Sequence, residues 1–254
     1  MRLTYIYHSG FAIEGENFTI IIDYYRDSDG ENDGIVHDSL LHRAGKLYVL
    51  STHSHSDHFN PEILKWKQHR PDIQYIFSRD ILEDRHVRFD GAVYLSPSEL
   101  YHDNTLCIQA FGSTDVGCSF LIEVAGKLIF HAGDLNNWHW KEESTMEESA
   151  EYEAAYLHEL EILARVTNRF DLVMFPIDPR LGREYMLGAE QFVCRFAVGC
   201  FVPMHFHDQY EKAAAFRSFA EKNGSLFIGW SFPGETVELS FLLENLNRFL
   251  ILSN

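Results

Sequence analysis

An apolar segment that leads directly into a cluster of histidines limits the fold of this chain more than any other feature. Residues 47–51 read Leu-Tyr-Val-Leu-Ser, and residues 52–58 read Thr-His-Ser-His-Ser-Asp-His. This change from apolar to polar predicts a buried strand that feeds an exposed loop. Imidazole nitrogens and carboxylate oxygens are the ligands that Zn²⁺, Mn²⁺ and Fe²⁺ prefer. The segment therefore predicts a metal-binding loop, and the alternative is a solvated polar loop or a pH-sensitive cluster of surface histidines.

The spacing of the donors within this loop indicates how they divide between ions. Side chains two residues apart in an extended segment project to the same side, so His53 and His55 are placed to bind one ion. Asp57 and His58 follow the expected bend and are placed to face a second ion. The loop alone therefore supplies part of two metal sites, and further ligands must come from elsewhere in the chain.

Turn residues and hydrophobic periodicity predict a strand-rich half before residue 145 and a helix-rich half after it. Short apolar runs predict strands at 2–7, 11–14, 18–24, 47–51, 73–77, 92–95, 106–110, 119–124, 127–131, 172–175, 201–204 and 249–252. Capping residues and helical spacing predict helices that begin at Asn60-Pro61-Glu62 and that span 147–167, 189–196 and 209–222. The pair of runs joined by Ala125-Gly126 is the strongest hairpin prediction.

The chain is long enough to bury a core, and nothing in the sequence divides it. It has 254 residues, of which 46% are hydrophobic, and it contains no linker, internal repeat or low-complexity tract. Sheets and helices must bury their apolar faces against one another. The simplest architecture is a single α+β domain over residues 1–254, a four-layer αββα sandwich of two mixed β-sheets with outer helices.

Charge, cysteine usage and hydropathy limit the partners and the location. The net charge of −17 repels phosphate backbones, so a nucleic-acid partner is disfavoured. The four cysteines form no CxxC pair, which favours a reducing cytoplasm. No run approaches the ~18 apolar residues of a membrane span, and the first residues lack a signal-peptide pattern. We therefore expect a cytoplasmic protein with a small-molecule substrate and no membrane partner; a homo-oligomer stays open.

Three separated blocks carry a family resemblance. The residues from His53 to His58 resemble the HxHxDH signature of the metallo-β-lactamase-fold superfamily. The segments His131-Ala132-Gly133-Asp134 and Val202-Pro203-Met204-His205 resemble two further ligand blocks of that superfamily, in the same order. The opening Tyr7-His8-Ser9-Gly10-Phe11 and Ile22-Asp23 are similar to the first strands of its ascorbate-6-phosphate lactonase-like branch. The resemblance covers residues 1 to about 230.

The resemblance implies the αββα fold, with metal ligands on loops along one edge of the sandwich. It implies one or two divalent ions, with zinc the first expectation and manganese or iron the alternatives. Asp134 corresponds to the carboxylate that bridges two metals, and Asp57 to a residue that also moves a proton in catalysis. The implied ligands are His53, His55, Asp57, His58, Asp134 and His205.

The first metal site departs from the family pattern. The family supplies another histidine before the His131–Asp134 block, but residues 111–117 here contain none. Asp115 is the obvious substitute, because a carboxylate oxygen binds the same metals. Such a change adds negative charge and favours Mn²⁺ or Fe²⁺. The alternative is that Asp115 only caps a turn and that the first site is weak or empty.

Residues near these blocks are candidates for substrate binding. Trp138 and His139 closely follow Asp134, so they are expected to line a pocket; packing under the next helix is the alternative, favoured for Trp140. Arg180 follows a predicted strand and offers a planar fork for a carboxylate or phosphate, although a salt bridge to a neighbouring acid is equally expected.

The remaining histidines are predicted to lie outside the ligand set. His8 is expected to be a hydrogen-bonded core residue rather than a residue beneath the site. His207 is expected either to support His205 or to be exposed. Surface positions are predicted for His37, His42, His69, His86 and His158.

The leading functional hypothesis is a metallo-hydrolase that uses a metal-activated water, or hydroxide, on a small, anionic metabolite such as a lactone or a phosphoester. Two alternatives stay open: a nuclease or phosphodiesterase of the same fold, and a protein whose degenerate site serves binding only. Metal content and turnover separate the last alternative from the enzymes.

Overall fold

The structure, a computed structural model, describes residues 1–85 and 89–239 and divides into two compact units. The first unit comprises Met1–Leu95 and the chain from Trp230 onward, and the second comprises Ser96–Gly229. The predicted strand at 249–252 and the predicted surface residue His86 lie outside the described residues. That residues 1–254 form a single domain stays a prediction.

Fourteen strands are present in the described part of the chain, seven in each of two sheets. In chain order they are β1 (Arg2–Tyr7), β2 (Gly10–Glu14), β3 (Phe18–Ile22), β4 (Lys46–Ser51), β5 (Gln74–Ser78), β6 (Ala92–Leu95), β7 (Leu100–His102), β8 (Leu106–Phe111), β9 (Ser119–Val124), β10 (Lys127–His131), β11 (Arg169–Pro176), β12 (Ala197–Met204), β13 (Leu226–Phe227) and β14 (Thr236–Glu238).

Helices connect these strands. The α-helices are α1 (Ile35–Asp38), α2 (Arg79–Arg85), α3 (Met146–Ala164), α4 (Leu187–Arg195), α5 (Tyr210–Ala214) and α6 (Arg217–Lys222). Three 3₁₀ helices span Leu40–His42, Pro61–Gln68 and Pro179–Glu184. The longest, α3, begins with a capping box in which the side chains of Thr145 and Glu148 bind each other's backbone N–H groups.

The sheet of the first unit has the strand order β14-β1-β2-β3-β4-β5-β6. Pairing is antiparallel from β14 to β3 and parallel from β3 to β6. Because parallel neighbours end at the same edge, the residues after β3 and those after β4 lie together. Asp23 therefore meets the loop that begins at Thr52. Beneath them, a buried cluster that includes Tyr24, Phe59 and Trp66 supports the loop.

The sheet of the second unit has the order β13-β12-β11-β10-β9-β8-β7. Here pairing is parallel from β13 to β10 and antiparallel from β10 to β7. The ends of β10, β11 and β12 therefore share one edge, which carries Asp134, Asp178 and His205. Each sheet thus changes from antiparallel to parallel pairing at the strand that precedes an aspartate.

Two mixed sheets with helices confirm the predicted α+β class. The predicted hairpin is also confirmed: β9 and β10 are joined by Ala125 at φ 51° and Gly126 at φ 71°. Asn60 caps the predicted helix start, since its side chain accepts a hydrogen bond from the Glu62 N–H at 2.9 Å. Within the described residues, no helix is both long and apolar enough to cross a membrane.

Some element predictions were wrong in detail. The predicted helix 209–222 is two helices, α5 and α6, with a tighter turn at Phe216, whose N–H binds the carbonyl of Ala213. The third strand ends at Ile22, because Asp23 adopts a positive φ of 50°. The strands β7, β13 and β14 were not predicted, since two or three residues are too few to show a period of two.

His42, His69 and His158 are exposed, as their sequence contexts predicted. His37 is only half-exposed, which differs from the prediction. Its Nδ1 lies 2.7 Å from the fully buried carboxylate of Asp27, so a buried acceptor draws the ring inward.

The hairpin turn generates a stability prediction. Replacement of Ala125 by Asn should stabilise the protein by about 0.5–1 kcal/mol, because Asn adopts a positive φ more readily than Ala and Asn-Gly suits this turn. The midpoint of urea unfolding measures the change.

Gly126→Ala is the matched control and should destabilise. An added Cβ would meet nothing within 4 Å there, so any loss reports the backbone conformation alone. A lower midpoint for Ala125→Asn would contradict this account of the turn.

Candidate metal centre

Asp23 organises the histidine loop of the first unit. Its fully buried carboxylate accepts hydrogen bonds from the Thr52 N–H, the Thr52 hydroxyl and His58 Nδ1, each at 2.7 Å. The Asp23 N–H donates to the carbonyl of Leu50 at 2.9 Å, which joins the end of β3 to the end of β4. Because an ionised carboxylate only accepts, His58 carries its proton on Nδ1. The nitrogen of His58 that is suited to a metal is therefore Nε2.

The same network fixes the tautomer of His53. The Thr52 hydroxyl donates to Asp23, so its oxygen accepts from His53 Nδ1 at 3.1 Å. Nε2 of His53 then carries the lone pair, and it lies 3.1 Å from Nδ1 of His55. Two imidazole ligands of one tetrahedral zinc ion are separated by about 3.3 Å, given Zn–N bonds of about 2.05 Å. His53 and His55 thus have the spacing of two ligands of one ion.

Asp57 and His58 lie beside His8. The distance from His8 Nε2 to Asp57 Oδ2 is 3.3 Å, and the His8 and His58 rings meet edge to face at 5.8 Å. Donor atoms of these three residues lie within 4.8 Å of one another. His8 is 2% exposed. His8 is therefore buried, as predicted for a core histidine. Its ring also contacts Asp57, a candidate ligand, and the prediction did not include this contact.

A second carboxylate–imidazole pair supports the donors of the second unit. Asp178 follows β11, and its Oδ2 lies 3.0 Å from Nδ1 of His205, which follows β12. Nε2 of His205 is then the nitrogen suited to a metal, and it lies 3.5 Å from Oδ1 of Asp134. Asp134 and His205, predicted as ligands, are thus brought together at one sheet edge. His207 offers a donor atom within 4.8 Å of the Asp178–His205 pair.

Asp178 is held in its ionised form. Burial favours its neutral form, but hydrogen bonds from His205 and Arg180 outweigh that effect and hold the pKa of Asp178 well below its usual range. Arg180 Nε and Nη2 both bind this carboxylate, with Nη2 at 2.5 Å from Oδ2. The salt bridge considered for Arg180 is therefore present, and its role in substrate binding stays a prediction.

Asp115 shows features of a turn cap and features of a metal ligand. Its Oδ1 accepts a hydrogen bond from the Val116 N–H at 2.9 Å, as a turn-capping aspartate does. Its carboxylate also has an oxygen within 4.8 Å of one of Asp134. The residue is exposed, unlike the buried Asp134. Its role as a ligand stays a prediction.

The three residues that follow Asn137 have different environments. Trp138 is half-exposed, donates its indole N–H to the carbonyl of Asp134 at 2.8 Å and meets the His205 ring edge to face at 5.8 Å. Trp140 stacks on Trp138 at 6.2 Å. His139 is 1% exposed and lines a cavity of about 480 Å³. Its Nδ1 accepts from the Lys141 N–H and its Nε2 donates to the Glu184 carbonyl. Substrate binding by Trp138 and His139 stays a prediction.

One candidate ligand and two residues that contact candidate ligands have strained backbones. His8, Asp23 and His205 have φ values of 59°, 50° and 58°, in the left-handed region that non-glycine residues rarely adopt. Such conformations cost free energy and persist where neighbouring contacts fix them, often at functional sites. The strain therefore lies at His205, a candidate ligand, and at His8 and Asp23, which contact the candidate ligands Asp57 and His58.

Comparisons with known proteins show which family this chain resembles. A family model described as the beta-lactamase superfamily domain matches residues 2–151. A UPF0173 metal-dependent hydrolase of Pelotomaculum thermopropionicum is 22% identical, over 94% of this chain and 100% of that protein. Another, from Desulforamulus reducens, is 27% identical over 148 residues, 53% of this chain and 62% of that protein, so the match spans less than two thirds of that relative.

A solved structure shows the fold. Igni18, described as a novel metallo hydrolase from the hyperthermophilic archaeon Ignicoccus hospitalis, aligns with a TM-score of 0.66 and 20% identity, over 93% of this chain and 97% of that one. This likeness and the family model identify the two mixed sheets as a metallo-β-lactamase fold. The ascorbate-6-phosphate lactonase-like branch stays a prediction.

The contacts of Asp23 generate a prediction about metal affinity. Asp23→Asn should weaken metal binding about 10- to 100-fold, because a neutral amide holds the His58 tautomer less firmly. Asn tolerates the positive φ at this position, so the backbone should persist. Competition with a chromophoric chelator measures the affinity.

Asp27→Asn is the matched control. Asp27 is another fully buried carboxylate of the first unit, but it binds the backbone of α1 and His37 rather than the histidine loop. An equal loss of metal affinity in both variants would contradict the specific role of Asp23.

Two substitutions at Asp115 separate its interpretations. Asp115→Ala should lower the bound metal by about one ion per chain if the carboxylate is a ligand. Asp115→Asn keeps an acceptor for the Val116 N–H and should lower the metal content as well. Elemental analysis gives the stoichiometry. Unchanged metal in both variants would leave Asp115 as a turn cap.

Proposed function

The chain belongs to the beta-lactamase superfamily domain family. We propose that it shares the metal-dependent hydrolase class of its relatives and that it hydrolyses a small, anionic metabolite, a lactone or a phosphoester. One observation carries the proposal. In each unit a buried carboxylate binds Nδ1 of a histidine, Asp23 with His58 and Asp178 with His205, at 2.7 and 3.0 Å. This arrangement orients imidazoles as metal ligands.

We propose that each unit carries a set of metal-binding residues. Those of the first unit are His53, His55, Asp57 and His58, and those of the second unit are Asp115, Asp134 and His205. Their nitrogen and oxygen atoms fit one or two divalent ions, with zinc the first choice because neutral imidazoles dominate. A carboxylate from Asp115 in place of a histidine would favour manganese or iron. When bound, such an ion would supply a water of lowered pKa and would polarise a carbonyl or phosphoryl oxygen.

The residues of this chain have distinct tasks in the proposed reaction. Asp23 and Asp178 hold the imidazoles of His58 and His205 in one tautomer. Asp57 accepts and returns a proton, and it is oriented by His8, whose Nε2 lies 3.3 Å from Oδ2. Asp134 would hold metal through its carboxylate oxygens.

The proposed substrate is a small molecule rather than a polymer. The lactonase-like opening of the sequence supports a lactone or phosphoester, and the net charge of −17 works against polyanions. We also propose a cytoplasmic location, which the four free cysteines support. The proposal is compatible with a homo-oligomer and requires no membrane partner.

The proposal predicts that metal and activity disappear together. The purified protein should carry one or two divalent ions per chain, and a chelator should abolish the hydrolysis of at least one lactone, ester or phosphodiester in a panel. Asp57→Ala and Asp134→Ala should each lower kcat/KM by about 10²- to 10⁴-fold.

Asp171→Ala is the control, because this half-buried carboxylate binds Lys127 and the Leu128 N–H instead of the donor sets. Full metal content and activity in Asp134→Ala would contradict the bridging role. A wild-type protein without bound metal or turnover would favour the degenerate binding site instead.

A further inference from the structure

Arg26, in the first unit, is a cation without an anionic partner among the described residues. It lies three residues after Asp23, and its guanidinium carbon sits 3.7 Å from the centroid of the Tyr7 ring. The side chain is half-buried, and its Nε is fully enclosed. Within residues 1–85 and 89–239, no acceptor binds that Nε and no carboxylate pairs with the guanidinium.

Two other arginines of the first unit have hydrogen-bonding partners. Arg43 binds Glu14 at 2.9 Å, and Arg70 donates to the carbonyls of Leu41 and Gly45. A partly desolvated guanidinium loses hydration free energy that an anion normally restores. Arg26 is therefore suited to bind an anion from solution, in a chain whose net charge is −17.

The carboxylate nearest to Arg26 in the sequence, that of Asp27, already has several hydrogen-bond donors. Asp27 accepts hydrogen bonds from the backbone N–H groups of Ser28, Val36 and His37 and lies 2.7 Å from Nδ1 of His37. Its carboxylate is completely buried. The loop that follows Arg26 therefore fixes its own aspartate in place and leaves the arginine available.

A layer of aromatic rings joins Arg26 to the candidate metal ligands of the same unit. The ring of Tyr7 lies 5.9 Å from that of Tyr25 and 6.4 Å from that of His8, between centroids. His8 in turn contacts Asp57. Tyr25 is 37% exposed, so this layer forms an accessible surface between the guanidinium and the histidine loop. A small molecule lying on these rings would have one end at Arg26 and the other at Asp57.

We propose that Arg26 binds the anionic group of the substrate, a carboxylate or a phosphate, while the bond to be hydrolysed lies at the donor set of the first unit. This inference rests on the proposed hydrolase function and names the residue that selects an anionic substrate. The Tyr7 ring supports the guanidinium carbon and leaves the peripheral N–H donors to bind two oxygens of the anion. Arg180, whose fork is occupied by Asp178, offers fewer donors for this task.

A pair of matched esters tests the proposal. Mono(4-nitrophenyl) succinate and 4-nitrophenyl butyrate have acyl chains of equal length, and only the first ends in a carboxylate. Water cleaves each to the acid and 4-nitrophenol. Arg26→Gln in the metal-loaded protein should lower kcat/KM for the succinate ester about 10- to 100-fold and leave the butyrate ester unchanged. Arg26→Lys should keep part of the preference, because it retains the charge without the fork.

Calorimetric titration with inorganic phosphate gives a readout that does not depend on turnover. The metal ligands are identical in the wild type and in Arg26→Gln, so the difference between their phosphate affinities reports Arg26. We expect a weakening of about 10- to 100-fold. Arg169→Gln, which removes the same charge from an exposed position at the start of β11, should change neither readout.

Each outcome has a defined meaning. A loss restricted to the succinate ester supports a carboxylate substrate, and a loss restricted to phosphate affinity supports a phosphoester. If the wild type hydrolyses neither ester and no lactone or phosphodiester of the panel, but Arg26→Gln weakens phosphate binding, the hydrolase proposal fails while the anion site stands. Equal losses for both esters, or no change in any readout, would overturn the proposal and leave Arg26 as a packing residue on Tyr7.

Discussion

A buried carboxylate that accepts a hydrogen bond from Nδ1 of an imidazole is the interaction on which both donor sets depend. Asp23 holds His58 in the first unit and Asp178 holds His205 in the second, at 2.7 and 3.0 Å. The bond chooses one tautomer, fixes the ring plane and directs Nε2 toward a ligand. Asp23 and His205 adopt positive φ values where they make these bonds. The conformations cost free energy, and the hydrogen bonds that orient the imidazoles help to maintain them.

Sheet topology explains why these residues meet. In both sheets the pairing changes from antiparallel to parallel at one strand, β3 or β10, and an aspartate follows each. The parallel neighbours end at the same edge and deliver the histidine loop in the first unit, and Asp178 and His205 in the second. Residues far apart in the sequence thus become neighbours through strand order, and loop conformation only refines their positions.

The sequence predicted the parts of this arrangement that depend on local pattern. The strands around the histidine loop, the hairpin at Ala125-Gly126 and the start of α3 near Glu147 all follow from periodicity and turn residues. The supporting contacts could not be predicted in this way. The pairing of Asp23 with His58, and that of Asp178 with His205, depends on which strands are parallel neighbours. Among the described residues, no carboxylate lies close enough to pair with Arg26, and the spacing of charged residues along the sequence does not reveal this.

X-ray absorption at the edge of the natively bound metal tests the central claim most directly, because it reports the ligand atoms. The account predicts a first shell of nitrogen and oxygen only, with the multiple-scattering pattern of imidazole. None of the four cysteines belongs to the candidate ligand groups among the described residues, so sulfur should be absent. A shell that contains sulfur, or a shell of oxygen without imidazole, would contradict the assignment of these histidines as metal ligands.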